Sequence, residues 1–272
     1  MSERMANSMK QTPLFIPYIV AGDPTPDATV DLALMLEESG ASALELGIPY
    51  SDPLADGPTI QRAAKRALDN QMTMEKAMKL VKEMRTRGLE IPVIIFTYYN
   101  LLLQLGESYF FTLMKENDID GLLVPDLPFE ESQLLRERCL VENIAYISLI
   151  APTTSKDRLT KMAREATGFL YAVSSLGVTG EITEMAPQTK AFLETVQKEA
   201  KVPVAVGFGI SSPEQVAHYQ EVTDGVIIGS AIVRPIEENK ALLADPKRRK
   251  EGVEKVKESV LHLLGDTLEI KR

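Results

Sequence analysis

Glu45 stands in the run ALELGI, where alternation puts Ala43, Glu45 and Gly47 on one face of a strand and Leu44, Leu46 and Ile48 on the other. The aliphatic face belongs against helices, so the carboxyl points the other way, into an interior. Burial among apolar groups raises a carboxyl pKa toward neutrality, which suits a group that both gives and takes a proton. The competing reading is a buried glutamate paired with Lys or Arg, and no strand interior offers an obvious basic partner. Directly after it comes PYSDPLADGP, Pro49 to Pro58, with Asp52 and Asp56 set among three prolines and a glycine. Aspartates in such segments usually serve turn chemistry, but a stiffened loop can also hold a carboxylate over a pocket mouth.

A second group of residues suits an anion. Gly207, Phe208, Gly209 and Ile210 end one apolar run and lead into Ser211, Ser212 and Pro213, while Gly229 and Ser230 end the next. Glycines allow close backbone approach, and helix N-termini present N–H groups and a favourable dipole to phosphate. Gly177, Val178, Thr179 and Gly180 add a third glycine-bearing loop. The two histidines, His218 and His262, fall in segments that read as outer helices, which leaves no Ser-His-Asp arrangement and no metal-ligand spacing. Acid and base work therefore falls to carboxylates or tyrosines. The single cysteine, Cys139, reads as a small buried hydrophobe.

These residues need a frame. Eight short Val/Ile/Leu/Phe-rich runs recur at Phe15 to Ala21, Ala43 to Ile48, Val93 to Tyr98, Gly121 to Asp126, Ala145 to Ile150, Phe169 to Ser174, Val202 to Phe208 and Gly225 to Gly229. Helical stretches separate them, with Thr25 and Pro26 opening one, Gly40 stopping it, and Ser212 capping another. The wide interval from Ala43 to Val93 leaves room for a long loop or an extra helix. Near the end, Val253, Val256, Val260, Leu261 and Leu264 share a helical face that should dock. The basic run from Lys247 to Lys250 before it reads as a solvated helix start. Eight strands alternating with at least eight helices, without a dividing linker, predict an α/β protein: one (β/α)8 TIM barrel with extra helices, a single domain over residues 1–272. Active sites of that architecture lie at the C-terminal ends of the strands, where Glu45 and the glycine loops fall.

Composition narrows the partners. The 272 residues carry 30 Lys and Arg against 39 Asp and Glu, a net charge of −9, which suits neither a nucleic-acid backbone nor anionic lipid. The longest apolar stretches, Leu14 to Gly22 and Ile91 to Phe96, fall short of the ~20 residues a membrane helix needs. MSERMANSMKQ has no apolar core segment of a signal peptide, so the chain reads as cytoplasmic.

ELGIPYSDPLADGPTIQ, from Glu45 to Gln61, with PYIVAGDP, LVPDLP, GVTG, GFGIS and IIGSAIV in the same order, resembles the tryptophan synthase alpha subunit family across essentially the whole chain. That resemblance implies a lyase of tryptophan biosynthesis. It would split indole-3-glycerol phosphate into indole and glyceraldehyde 3-phosphate by retro-aldol chemistry, with no cofactor in this subunit. By the same resemblance Glu45 carries the proton transfers, Asp56 faces the indole N–H, and Tyr171 lies beside the reacting centre; read alone, a strand tyrosine is more often packing. Gly180, Gly209, Gly229 and Ser230 would meet the phosphate. Tyr18, Phe96, Leu123, Leu149 and Phe208 would line the indole pocket, although without the family they read as ordinary barrel core. Thr179 would belong to a mobile loop whose closure excludes water.

The family also implies a β subunit carrying pyridoxal phosphate, in an α2β2 heterotetramer, with Asp52 and Pro53 on the partner-facing side. Three positions depart from the family pattern: Ser175 for an arginine, Tyr18 for a phenylalanine, and Pro125 for a small residue. Other readings of the same residues are a different phosphosugar barrel enzyme, a free-standing indole-producing lyase, and a non-catalytic phospholigand-binding subunit.

Overall fold

The protein is described from a computed structural model covering residues 1–174 and 187–265. In chain order the first half comprises α1 (Glu3–Ser8), β1 (Leu14–Val20), α2 (Pro26–Glu38), β2 (Leu44–Gly47), α3 (Pro58–Asp69), α4 (Met74–Thr86), β3 (Val93–Phe96), α5 (Tyr99–Leu105), α6 (Glu107–Glu116), β4 (Gly121–Leu123) and α7 (Gln133–Val141). The second half comprises β5 (Ala145–Tyr146), β6 (Ser148–Ile150), α8 (Lys156–Glu165), β7 (Leu170–Val173), α9 (Pro187–Glu199), β8 (Val204–Gly207), α10 (Pro213–Gln220), β9 (Gly225–Ile228), α11 (Ser230–Glu238), α12 (Lys240–Ala244) and α13 (Arg249–Leu264).

The strands are parallel and run β5-β4-β3-β2-β1-β9-β8-β7-β6. The two end members are separated in sequence only by Ile147, so the sheet returns to its own start as a barrel. The run Ala145 to Ile150 thus acts as one barrel stave in two pieces. Its first piece pairs with β4 and its second with β7. The break has a local cause: the Thr167 hydroxyl donates to the Tyr146 carbonyl and accepts from its N–H, both at 3.0 Å, taking the place of a backbone partner there. All eight predicted runs are present: the first begins one residue earlier, at Leu14, and ends at Val20, the run Ala145 to Ile150 keeps its bounds but is split at Ile147, and the other six lose one to three residues at one or both ends, where they turn into loops.

Side-chain chemistry explains the helix boundaries. Thr25 accepts from Ala28 N–H at 3.2 Å to cap α2, and Ser212 accepts from Gln215 N–H at 3.4 Å to cap α10. The interval before β3 holds both a loop and two helices. On α13 the docked face is Val256, Val260, Leu263 and Leu264, with Val253 packed at its edge and Leu261 only half-buried. Arg249, inside the basic run, pairs with Asp27 at 3.1 Å and so ties α13 to α2, while Lys247, Arg248 and Lys250 are exposed. Cys139 is buried on α7, and burial pushes its thiol up to about 12.

Helix α1 plugs the N-terminal end of the barrel. Met5 is fully buried and its methyl reaches the backbone of Gly121 on β4. Arg4 and Arg85 converge on the buried Asp120 at 3.0 and 2.8 Å, which fastens the plug to the start of β4. At the opposite end Arg66 bridges buried Asp23 at 2.7 Å and Glu237 at 2.6 Å, joining the loop after β1, α3 and α11. Among the described residues no helix is long and apolar enough to cross a membrane.

Candidate active site

Glu45 is the second residue of β2 and is 1% exposed. Its register partners are Tyr18 on β1 and Ile94 on β3, and paired residues in a parallel sheet share a face, so all three point into the barrel. Among the described residues Oε1 of Glu45 has no hydrogen-bond partner. No described cation holds the charge, and burial pushes this carboxyl up to about 8. Among the described residues no ion pair holds Glu45, and its burial favours the protonated form while leaving the group within reach of ionisation.

Asp56 hangs over the same interior from the loop between β2 and α3. Tyr98 Oη donates to Asp56 Oδ2 at 3.0 Å and accepts from Ala55 N–H at 3.0 Å. Gln61, in the first turn of α3, donates to the Asp56 carbonyl at 2.8 Å. Burial raises the Asp56 carboxyl from its ordinary value, and the Tyr98 hydrogen bond opposes that rise. A half-buried carboxylate fixed by a phenol can accept one further hydrogen bond from a ligand N–H.

Tyr171 on β7 and Tyr18 on β1 complete the polar lining. Burial first, then the nearby carboxyls of Glu45 and Asp56, raise both phenols well above their ordinary value, so both remain protonated donors. Tyr18 meets Phe96 edge-to-face at 5.4 Å and Tyr171 meets Phe208 at 6.0 Å. Leu123 is the register partner of Phe96, and Leu149 that of Tyr171, so Tyr18, Phe96, Leu123 and Leu149 share the inward face of the barrel, with Phe208 against Tyr171. Phe208 is 40% exposed with φ +73°, a left-handed conformation rare outside glycine. Ser174 Oγ donates to its carbonyl at 2.5 Å.

The glycines expected to meet an anion adjoin this wall. Gly209 follows Phe208 at φ +78°, where a side chain would be strained. Gly229 precedes Ser230 at the start of α11, whose N-terminus has no side-chain cap. That uncapped end and the bare backbone of Gly209 offer N–H groups to an anion. Gly180, Thr179 and the departure at Ser175 lie outside the described residues. Pro125 is half-buried in the turn just after β4. Asp52 is exposed and Pro53 half-buried on the outer side of the loop, beside Leu54, which is 86% exposed. His218 and His262 are exposed on outer helices.

Sequence reasoning missed Tyr98. It is 2% exposed and lies at the end of the run that begins at Val93, where alternation with Ile94 and Phe96 gives it the inward parity. That parity was the available signal.

A family model described as tryptophan synthase alpha chain matches residues 5–262. The chain is similar to the tryptophan synthase alpha chain of Geobacillus kaustophilus, 60% identical over 89% of this chain and 90% of the relative. The Bacillus subtilis (strain 168) alpha chain is 53% identical over 93% and 94%. Among solved structures, a chain of the tryptophan synthase α2β2 complex from Pyrococcus furiosus is 37% identical with a TM-score of 0.82, over 94% of this chain and 99% of that one. The match spans the strand that bears Glu45 and the loop that bears Asp56, and on that footing this chain belongs to the tryptophan synthase alpha chain family.

Proposed function

We propose that this chain, as one barrel domain, is the alpha subunit of tryptophan synthase and cleaves indole-3-glycerol phosphate to indole and glyceraldehyde 3-phosphate. The observation that carries the proposal is Glu45: a buried carboxyl whose Oε1 has no partner among the described residues, pushed up to about 8 by burial, on the inward face it shares with Tyr18. Cleavage needs a proton on indole C3 and removal of a proton from the hydroxyl on the adjacent side-chain carbon. Protonated Glu45 gives its proton to C3, and the resulting carboxylate takes the hydroxyl proton as the C–C bond breaks. The bonding pair returns to the ring, the hydroxyl carbon becomes the aldehyde, and Glu45 ends protonated as it began.

Protonation at C3 makes the ring cationic, with the charge centred on its nitrogen. The Asp56 carboxylate, accepting from that N–H, stabilises the cation as it develops. Tyr171 borders the reacting carbon, while Tyr18, Phe96, Leu123, Leu149 and Phe208 hold the indole. Gly180, Gly209, Gly229 and Ser230 take the phosphate, and the loop containing Thr179 closes over the substrate. These assignments rest on inward register, burial and the uncapped start of α11, and for Gly180 and Thr179 on family membership alone.

The chain works with a tryptophan synthase β subunit in an α2β2 heterotetramer, docking through the side of the loop that carries Asp52 and Pro53. The pyridoxal phosphate of the coupled condensation belongs to that partner, and this chain needs no cofactor of its own. Indole release by the purified chain, alone and with a β chain, tests the proposal. Slow release that the partner accelerates is expected. Fast release alone indicates a free-standing indole-producing lyase, and ligand binding without turnover in both conditions contradicts catalysis.

A further inference from the structure

Tyr98 occupies a position that no packing argument requires of a tyrosine. It follows β3 at the threshold of α5 and is 2% exposed. Its hydroxyl meets two atoms of one loop: it donates to Asp56 Oδ2 and accepts from Ala55 N–H, each at 3.0 Å. Its ring stacks at a tilt on Tyr50, near the start of the same loop, with centroids 5.1 Å apart. Tyr98 therefore touches that loop at both ends. Its own backbone is fixed in turn, because Asp126 accepts from the N–H of Tyr99 at 2.9 Å and so caps the first turn of α5.

A carboxylate on an irregular loop has two free side-chain torsions, and an exposed one would rotate. The phenol removes that freedom on one oxygen and leaves the other available. Because the same hydroxyl accepts from the preceding amide, its proton is directed toward the carboxylate, and the hydroxyl cannot turn away without breaking both bonds. The residue that opens α5 and the first turn of α3 thus grip Asp56 from two sides, through Tyr98 and through Gln61.

We propose that Tyr98 is a positioning residue that acts through Asp56, holding its carboxylate in the orientation that meets the indole N–H in the transition state. The proposal rests on the catalytic reading of Asp56 given above. Positioning of a group that matters as charge develops affects turnover more than ground-state binding.

The test is a double-mutant cycle on the full chain with its β partner: wild type, Tyr98→Phe, Asp56→Asn and the double variant, each assayed for kcat and KM of indole release. Tyr98→Phe keeps the ring against Tyr50 and removes only the hydroxyl. It should lower kcat roughly 10- to 100-fold with KM changed by less than about 3-fold. In the Asp56→Asn background the same substitution should cost less than about 2-fold. Binding of an unreactive analogue that keeps the indole and phosphate but lacks the hydroxyls, followed by calorimetry, reports that each variant site is folded.

An equal loss in both backgrounds overturns the proposal, because Tyr98 then acts independently of Asp56. An unchanged kcat for Tyr98→Phe beside a large loss for Asp56→Asn overturns it while leaving the catalytic reading of Asp56 intact. An unchanged rate for Asp56→Asn overturns both. If Tyr98→Phe fails to bind the analogue, the role of Tyr98 is structural and the proposal is overturned.

Discussion

Tyr171 lies across Gly207: its ring and hydroxyl fill the space where a side chain on the neighbouring strand would begin. Tyr171 is in register with Ala205, so the glycine stands two residues further along β8. Tyr18 repeats the relationship on the other wall, in register with Glu45 and leaning across Gly47, two residues further along β2. Both phenols are thereby tilted toward the C-terminal mouth, and neither tilt is possible with a Cβ on the neighbour.

Gly207→Ala tests that fit. The added carbon would sit 2.6 and 2.7 Å from Cζ and Cε1 of Tyr171, closer than packed atoms tolerate, and backbone and ring must both shift. A stability loss of about 1–3 kcal/mol in urea unfolding is expected, together with weaker binding of an indole phosphate analogue. Unaltered stability and binding would show that the ring has room to move.

The lone carboxyl of Glu45 predicts a pH dependence of stability. Below about pH 4.5 it is protonated in folded and unfolded chains alike, and its native burial carries no penalty. Between 4.5 and about 8 the native protein holds a proton that the unfolded chain has released, so stability falls as pH rises through this window and levels off above it. Glu45→Gln removes the penalty. The variant should be more stable than wild type by about 1–3 kcal/mol at pH 8.5, with the gap closing toward pH 5. A gap that is constant with pH would mean Glu45 titrates near its ordinary value.

What the sequence revealed followed the length scale of each signal. Glu45 was legible because strand alternation is local, and one charged residue in ALELGI breaks the pattern. Asp56 was ambiguous by itself, since a turn aspartate and a catalytic one have the same neighbours, and the resemblance decided its reading. Tyr98 stayed hidden because its partner lies 42 residues away, and a tyrosine ending an apolar run gives no sign of what its hydroxyl meets. The two-piece stave at Ile147 was equally hidden, since it depends on the Thr167 hydroxyl, 21 residues from Tyr146. Helix α1 is six residues long and mixed in charge, below the length at which periodicity speaks. It is held by Asp120, more than a hundred residues away.

Phe208 offers a test of strain at the pocket wall. A left-handed φ favours glycine over any L side chain, so Phe208→Gly should be more stable than Phe208→Ala by roughly 1 kcal/mol. Both lose the ring that packs on Tyr171 and should raise KM by about 5- to 10-fold, the share of one partly exposed aromatic. Thermal unfolding and initial rates of indole release on the pair check this. Equal stabilities would mean the loop relaxes out of the left-handed conformation once the ring is gone.

In the proposed reaction one buried carboxyl, Glu45, gives its proton to indole C3 and takes the proton of the side-chain hydroxyl in its place. Its most direct test is the rate of indole release from indole-3-glycerol phosphate by wild type and by Glu45→Gln, side by side and with the β partner present. The amide keeps the shape and the fold but cannot exchange the proton. Turnover should fall by about 10²- to 10⁴-fold while the unreactive analogue still binds. A variant that releases indole at the wild-type rate would contradict the account.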